Sequence, residues 1–399
     1  MSRFLSYSPE QAYLIPPDVK QVLGEDHLCW FVHGVVERLD LQRFVEAYSE
    51  EGGVLYHPSL MLKVWLYAYL LGVTSSRRLE QRIREDLAFR YLAGGLQPDY
   101  WALNAFRRRH GRGINDVFVQ VLEMAQRLGL GRVGTVAIDS TRVKANASAD
   151  RVEKIEQARE ERARKRRSVR RWQKACDADD PNEGAGMSLG AAAEKLNQMA
   201  GESELQPLPK LAKRSLTDPD SRFLRERGRR FVLGYTGEIA VSEDHFIVGA
   251  RVTQNVQDAA ALVPMVDEVE RCCRQRPERV LADSGFYSNQ NVAELKGRGI
   301  DVYSPDPNLA RELNGGPPAR TIGRMQPSDP HLLAMRQKLR SEMGRRLYQQ
   351  RKSLVEAVFG VLKEQRGMRQ FRLRGLQRVQ TEWMLAVLAY NLGRLYTTR

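Results

Sequence analysis

Apolar and polar residues alternate with the period of an amphipathic helix through the first third of the chain. A strongly apolar run over residues 60–71 opens just after Pro58 and closes at Gly72. Proline suits the first turn of a helix and glycine commonly follows its last turn, so this run predicts a helix. With its neighbours it predicts an all-helical N-terminal domain over residues 1–131.

A second, shorter helix is predicted to begin near Ser75, because serine is a favourable N-cap. Its apolar positions recur every four residues, at Leu79, Ile83, Leu87 and Tyr91. Arg77 and Arg78 lie at its start, away from that face. A helix, a tight turn and a basic helix form the outline of a DNA-reading module, so both arginines are predicted to contact DNA.

A third helical segment, from Trp101 to His110, contains three consecutive arginines, Arg107, Arg108 and Arg109. The run has two interpretations of about equal weight. It is either a solvated basic face on an ordinary helical bundle or a surface that contacts the grooves or phosphates of DNA. All three arginines are therefore candidate DNA contacts.

After residue 131 the pattern changes to short β-rich runs separated by helical ones. The predicted strands cover residues 133–139, 231–241, 246–253, 279–283 and 300–303, and helices are predicted over 259–272 and 289–297. This order predicts a mixed sheet flanked by helices. The second domain then covers residues 132–399, interrupted by a basic, helical or flexible insertion over 149–222 and an irregular loop over 305–330.

Composition narrows the class of protein. The chain has 399 residues, of which 42% are hydrophobic, yet no run approaches the ~18 apolar residues typical of a membrane span. The N-terminal residues lack the order of a secretory signal. The four cysteines fit neither zinc-ligand spacing nor a disulfide framework. These features predict a soluble protein of the reducing cytoplasm.

Charge indicates the partner. The chain has 63 Lys and Arg against 49 Asp and Glu, a formal net charge of +14. Such a surplus favours a polyanion, because each phosphate that is neutralised releases condensed counterions. An acidic membrane surface is the alternative, but no amphipathic anchor or lipidation signal is evident. Double-stranded DNA is the predicted partner.

Two aspartates follow apolar strand patterns. Asp139 ends the run at 133–139, and Asp283 follows a second run and precedes Gly285. Glycine permits a sharp exit from a strand, which would leave the carboxylate at the carboxyl edge of the sheet, where open α/β sheets bind their ligands. The two carboxylates are predicted to meet there.

A third candidate acid, Glu356, lies in the run Tyr348 to Lys363, within the helical region predicted from about His331 onward. Lys352, Glu356, Gly360 and Lys363 follow one another at helical spacing along one face. The lysines are predicted to hold DNA phosphates, and the glycine would let a DNA backbone approach closely.

The chemistry that suits three such acids is metal-assisted phosphodiester cleavage. Mg²⁺ prefers oxygen ligands, and two ions about 4 Å apart can activate a water or a 3′-hydroxyl and stabilise the departing oxygen. Asp139, Asp283 and Glu356 are the predicted catalytic residues and metal ligands. The alternative, of equal weight for each acid taken alone, is that the aspartates are turn or cap residues and Glu356 is a surface acid.

Other cofactors are not indicated. The six histidines include no pair four residues apart, so no zinc site is predicted, and the glycines fit no P-loop, which argues against a nucleotide cofactor. Trp65 and Trp383 lie within apolar helical patterns and are predicted to be core residues.

Three runs resemble the DDE transposases of bacterial insertion sequences. They are Ala137-Ile-Asp-Ser-Thr-Arg-Val-Lys-Ala-Asn-Ala-Ser148, Ala282-Asp-Ser-Gly-Phe-Tyr-Ser288 and Val355-Glu-Ala-Val-Phe-Gly-Val-Leu-Lys363. The likeness is to the lineage with an Asp-x-Gly-Phe/Tyr second motif and a Tyr, Arg, Glu, Lys signature. The residues that resemble this signature are Tyr348, Arg351, Glu356 and Lys363. The spacing from Arg351 to Glu356 is one residue longer than in the strictest form of the signature. The run from His57 to Arg78, the run Phe371-Arg-Leu-Arg-Gly-Leu-Gln and the segment from Glu382 to Leu392 are also similar to the family.

The resemblance implies an RNase H-like, retroviral-integrase-like core, Mg²⁺ dependence with Mn²⁺ as substitute, and recognition of terminal inverted repeats. It also implies that Tyr348 and Arg351 act beside DNA. The predicted enzyme hydrolyses one strand, and the freed 3′-hydroxyl then attacks target DNA. Cutting two ends together implies a homodimer in the DNA complex. Two alternatives stay open: a metal nuclease of the same fold without strand transfer, and a catalytically silent DNA-binding regulator.

Overall fold

The computed structural model describes residues 19–48, 56–148, 151–154, 167, 213–225, 231–316 and 330–398. The chain divides into two compact units, one formed by residues 1–146 and 234–399 and the other by residues 147–233. Within the described residues, every helix is either too short or too polar to cross a lipid bilayer.

The described part of the first 131 residues is helical, as predicted. After a 3-10 turn at Val19–Gln21 come α1 (Leu28–Val36), α2 (Gln42–Val45), α3 (Pro58–Leu70), α4 (Ser76–Glu85), α5 (Leu87–Leu92), α6 (Tyr100–Arg109) and α7 (Gly111–Arg127). The predicted bounds of α3 are confirmed: Pro58 occupies its first turn, and Gly72 follows its end in the left-handed conformation, with φ 73°. Trp65 is fully buried in it, as predicted.

The helix that begins after Ser75 is shorter than predicted. The pattern through Tyr91 predicted one continuous helix, but α4 stops at Glu85 and Asp86 takes an extended conformation. The Asp86 carboxylate accepts hydrogen bonds from the amides of Ala88 and Phe89, at 2.9 and 3.4 Å. Asp86 is therefore the N-cap of a new helix, and this capping interaction outweighs the continuous apolar spacing.

Eight strands occur in the described residues. They are β1 (Thr135–Lys144), β2 (Val152–Lys154), β3 (Lys213–Ser215), β4 (Arg222–Arg225), β5 (Phe231–Ser242), β6 (Ile247–Thr253), β7 (Arg279–Ala282) and β8 (Asp301–Tyr303). In the larger unit the neighbouring strands follow the order β6-β5-β1-β7-β8. β5 is antiparallel to β1 and β6, whereas β7 is parallel to β1 and β8. The predicted mixed sheet and the predicted β5–β6 hairpin are confirmed.

The strand that carries Asp139 does not end there, which corrects the sequence prediction. β1 continues to Lys144 because β5 stays paired with it, from Asp139 opposite Ile239 to Lys144 opposite Gly234. The Lys144 carbonyl also accepts a hydrogen bond from the amide of Phe371, at 2.9 Å. On the other side of β1, β7 ends at Ala282, opposite Ile138. Asp139 is therefore the first residue of β1 beyond the end of its parallel neighbour.

In the smaller unit, β2 and β3 pair antiparallel, with Val152 opposite Ser215. These strands lie near the two ends of the predicted insertion, 149–222, for which the sequence predicted a helical or flexible segment. Most of that insertion lies outside the described residues, so the prediction of a basic helix over it stays a prediction.

Six helices of the described residues follow the hairpin: α8 (Leu262–Cys273), α9 (Asn289–Gly297), α10 (Pro307–Leu313), α11 (Pro330–Arg340), α12 (Glu342–Gly360) and α13 (Leu376–Thr397). A 3-10 turn, Asp258–Ala261, precedes α8, and α12 continues into a π-helical turn, Val361–Gln365. Helix α10 lies in the segment 305–330 that was predicted to be an irregular loop. The Asp306 carboxylate starts it by accepting from the amides of Asn308 and Leu309, while residues 317–329 lie outside the described part.

Helix α13 is the central helix of the larger unit. It packs against α3, α7 and β6. Trp383 is 1% exposed, as predicted for a core residue, and the side chain of Asn391 bonds both the amide and the carbonyl of Ile247, at 3.0 and 2.8 Å. The fully buried carboxylate of Glu382 accepts from the amides of Arg372 and Leu373, each at 2.9 Å. The Glu382 contacts join the run over residues 371–377 to helix α13.

Replacing Glu382 by alanine is expected to lower the free energy of unfolding by about 3 kcal/mol, because two buried amides lose their acceptor. Glu382→Gln keeps one carbonyl oxygen for both amides and is expected to lose less. Urea denaturation of the full chain, followed by circular dichroism, measures both variants. An alanine variant as stable as the unsubstituted protein would contradict the assigned contact.

Candidate active site

Asp139 and Asp283 lie side by side at the carboxyl edge of the parallel strands. Ile138 of β1 is paired with Ala282 of β7, and each aspartate is the next residue along its chain. Neighbouring strands are about 4.8 Å apart, so the two carboxylates start from adjacent backbone positions. Burial raises the pKa of Asp139, and the negative charge of nearby Asp283 adds to this rise. Two of the three predicted acids are thus brought together.

Each of these carboxylates is oriented by a nearby backbone amide. The amide of Ser140 donates to Asp139 Oδ1 at 2.7 Å, and the amide of Gly285 donates to Asp283 Oδ1 at 2.8 Å. Both bonds leave the second oxygen of the carboxylate for another partner. The chain itself therefore fixes the directions of both carboxylates.

Arg351 of α12 reaches this edge and pairs with Asp139. Its Nη1 donates to Asp139 Oδ2 at 3.0 Å, and the two side chains are 12% and 21% exposed. Burial raises the pKa of Asp139 to about 6, and the pairing with Arg351 counteracts part of this rise. Tyr348 is buried beside Arg351, with its ring 5.5 Å from the guanidinium carbon, and burial raises the pKa of its hydroxyl.

Glu356 is not brought to the two aspartates. Its side chain is 58% exposed and its Oε1 lies 4.0 Å from Lys352 Nζ. The buried face of α12 includes Leu347 and Val358. Glu356 is nine residues from Leu347, and nine residues make about 2.5 helical turns. Glu356 therefore lies on the side of α12 opposite to Leu347 and faces away from the sheet. Among the described residues, no group of three or more His, Cys, Asp or Glu side chains is placed to hold a metal ion.

Most of the other predicted DNA contacts lie at the surface. Arg77, Arg78, Arg108, Arg109 and Lys352 are exposed, and Lys363 is half-buried. The Arg77 guanidinium lies 5.1 Å from the centre of the Tyr100 ring, and Arg109 lies at the same distance from the Tyr48 ring. Tyr348 and Arg351 have little exposed surface, so in this structure they line the interior of the site.

The structure contradicts the predicted DNA contact of Arg107. This residue is 1% exposed, because it lies on the inner face of α6. Its guanidinium lies 3.9 Å from the centre of a Trp65 ring and donates to the Tyr69 hydroxyl and the Thr74 carbonyl, both at 3.0 Å. Three consecutive arginines cannot all share one face of a helix, and Arg107 is the one that faces inward.

Asp258, which precedes the helix predicted from residue 259, was not among the predicted site residues. Its carboxylate accepts from Ser140 Oγ at 2.8 Å and from Arg142 Nη1 at 3.1 Å. The alternation of a strand places Ser140 and Arg142 on one face of β1 and could have identified them as a pair. No signal in the sequence connects either residue with Asp258, 116 or more positions away.

The raised pKa of Asp139 predicts how pH affects stability. Since folding raises this pKa to about 6, the contribution of Asp139 is fully present below its unfolded value and is lost as pH rises through 6. The unfolding free energy is expected to fall by about 2–3 kcal/mol from pH 4 to pH 7, relative to Asp139→Asn, which cannot titrate there. Urea titrations at each pH measure the difference, and parallel curves for the two proteins would refute the expected loss.

Two family models match the chain. One, described as a transposase DDE domain, matches residues 212–392 and so covers Asp283 and Glu356, and the other, described as a transposase domain (DUF772), matches residues 17–109. Neither a curated protein nor a solved structure matches the chain. The two matched regions together cover more than half of the 399 residues and include both the N-terminal helices and the sheet edge that carries Asp283. The chain therefore belongs to the DDE transposases of insertion sequences.

Proposed function

We propose that this protein binds the terminal inverted repeats of an insertion sequence and catalyses metal-dependent cleavage and transfer of DNA strands. The observation that carries the proposal is the pair of amide-oriented carboxylates, Asp139 and Asp283, at the edge where β7 stops beside β1. The net charge of +14 supports DNA as the substrate. The mixed sheet flanked by helices is in keeping with an RNase H-like core, which is part of the proposal.

The residues at this edge suit a hard divalent cation in part. Asp139 and Asp283 supply carboxylate oxygens, the ligands that Mg²⁺ and Mn²⁺ prefer. Asp139 Oδ2 already has a cationic partner, the Arg351 guanidinium at 3.0 Å. Glu356 faces away from the two aspartates, so its proposed role as third ligand requires a rearrangement of this part of the chain.

A bound Mg²⁺ would supply Lewis-acid chemistry, by activating the attacking oxygen and stabilising the departing one. The chain does the rest. The amides of Ser140 and Gly285 fix the two carboxylates, so the site does not have to reorganise during the reaction. Arg351, once released from Asp139, is in position to donate to a phosphate oxygen, and the exposed Lys352 offers a second cation on the same helix.

DNA recognition is assigned to the exposed cations of the N-terminal helices, Arg77, Arg78, Arg108 and Arg109. The division into an N-terminal domain, 1–131, and a catalytic domain, 132–399, remains a prediction. The proposal also includes a homodimer in the DNA complex, since two ends need two sites, and action in the cytoplasm without a nucleotide cofactor.

A joining assay tests the proposal. The full chain is incubated with Mg²⁺, a supercoiled plasmid and labelled duplexes from the DNA that flanks its coding sequence. A transposase yields label joined covalently to the plasmid, whereas a nuclease yields shortened duplex without joined product. A DNA-binding regulator yields retarded duplex and neither product. Omission of Mg²⁺ with added EDTA is the control, and joining that persists there would overturn the metal requirement.

A further inference from the structure

The carboxylate of Asp258 is largely shielded from solvent and has a fixed orientation. Its Oδ1 accepts from Ser140 Oγ and from Arg142 Nη1, at 2.8 and 3.1 Å. Arg142 is itself held by Thr236 Oγ1 at 2.9 Å and by the Val256 carbonyl at 3.1 Å. The side chains of Arg142 and Asp258 are 20% and 21% exposed, so this ion pair is largely shielded from solvent. Such a carboxylate has little freedom to turn.

Asp258 contacts both residues whose amides orient the site aspartates. On one side it holds Ser140, whose amide donates to Asp139 Oδ1. On the other side it abuts Gly285, whose amide donates to Asp283 Oδ1. A Cβ at Gly285 would lie 3.2 Å from Asp258 Oδ2 and 3.1 Å from Asp283 Oδ1. The absence of a side chain at Gly285 therefore leaves room for the close approach of Asp258.

We infer that Asp258 is a positioning residue, which holds the carboxylates of Asp139 and Asp283 in the relative orientation that binds a divalent cation. The inference rests on the proposed function. Asp258 acts through Ser140 and Gly285 and does not bind the cation itself, because its Oδ1 already has two donors and its Oδ2 lies 3.4 Å from Arg142 Nη2. Partners that orient metal ligands in this way affect metal affinity without touching the metal.

The test measures Mn²⁺ binding to the full chain without DNA, by the electron paramagnetic resonance signal of free Mn²⁺. Asp258→Ala is expected to weaken binding by about tenfold or more, the usual effect of removing a residue that orients a metal ligand. Asp258→Asn keeps an oxygen for Ser140 and is expected to stay within about threefold of the unsubstituted protein. Gly285→Ala, whose Cβ would lie 3.2 Å from Asp258 Oδ2 and 3.1 Å from Asp283 Oδ1, crowds both carboxylates and is also expected to weaken binding.

Asp267→Asn is the matched control, because Asp267 also pairs with an arginine, Arg298, but is 54% exposed on α8. It is expected to leave Mn²⁺ affinity unchanged. Circular dichroism and thermal melting show which variants are folded, and affinity is compared per folded molecule.

Two results would overturn the inference. Unchanged Mn²⁺ affinity in folded Asp258→Ala and Gly285→Ala, even with lower melting temperatures, would leave Asp258 a purely structural role. Loss of binding in Asp258→Asn as complete as in Asp139→Asn would make Asp258 a ligand itself. A different result, no Mn²⁺ binding by the unsubstituted protein or equal binding by Asp139→Asn, would remove the proposed function and this inference with it.

Discussion

Asp139→Asn or Asp283→Asn is expected to lower the rate of DNA strand cleavage about a thousandfold, equivalent to ~4 kcal/mol of lost transition-state stabilisation. Asparagine keeps the size of the side chain and one oxygen for the Ser140 or Gly285 amide, but it removes the negative charge that would hold a divalent cation. Affinity for duplex DNA is expected to stay the same, since the exposed arginines are untouched. Single-turnover cleavage of a labelled duplex and a gel-shift titration measure the two effects.

Asp301→Asn is the control for this pair. Asp301 belongs to the same sheet, but it begins β8, at the opposite edge from the carboxyl ends of the parallel strands, and pairs with Lys338. Its side chain is 51% exposed, and its replacement is expected to leave cleavage unchanged. Cleavage by Asp283→Asn at the unsubstituted rate would show that the paired aspartates are structural, and the proposed chemistry would fall.

Arg107→Ala is expected to cost about 3–5 kcal/mol of unfolding free energy, the range found when one member of a buried charged network is removed. The substitution opens a cavity beside Trp65 and leaves the Tyr69 hydroxyl and the Thr74 carbonyl without their donor. Burial raises the pKa of Glu382, and the substitution also removes the positive charge of Arg107, which counteracts part of this rise. Urea denaturation of the full chain measures the loss.

Arg108→Ala is the matched control on the same helix. Arg108 is exposed, so its replacement is expected to change stability by less than about 0.5 kcal/mol and to weaken DNA binding instead. The two neighbouring arginines should therefore separate stability from DNA affinity. Equal stability of Arg107→Ala and Arg108→Ala would contradict the buried position of Arg107.

The sequence predicted elements whose signals are local. The helix from Pro58 and the β5–β6 hairpin were placed correctly, because cap residues, glycine and apolar periodicity act over a few positions. The single helix predicted through Tyr91 was wrong. The capping preference of Asp86 is also a local signal, but the uninterrupted apolar spacing on both sides of it favoured one continuous helix. The same preference at Asp306 produced a helix where a loop was predicted.

The candidate site was predictable only in part, because its geometry depends on contacts distant in sequence. Strand patterns placed Asp139 and Asp283 at one edge, but the length of β1 is set by its pairing with β5, which no local pattern specifies. The direction of Glu356 depends on which face of α12 packs on the sheet, and several apolar stripes were compatible with its sequence. The hydrogen bond between Asp258 and Ser140 joins residues 118 positions apart, and no spacing pattern in the sequence predicts it.

The packing of α13 against α3 and α7 has a consequence for the order of events during protein synthesis. Helix α13 is translated after α3 and α7, so those two helices expose an apolar surface until it is made, at about 5–20 residues per second. The N-terminal helices cannot complete their burial until residues 376–397 arrive. A copy terminated before residue 376 would thus lack a finished N-terminal module as well as α13, and would be a target for chaperones and proteases.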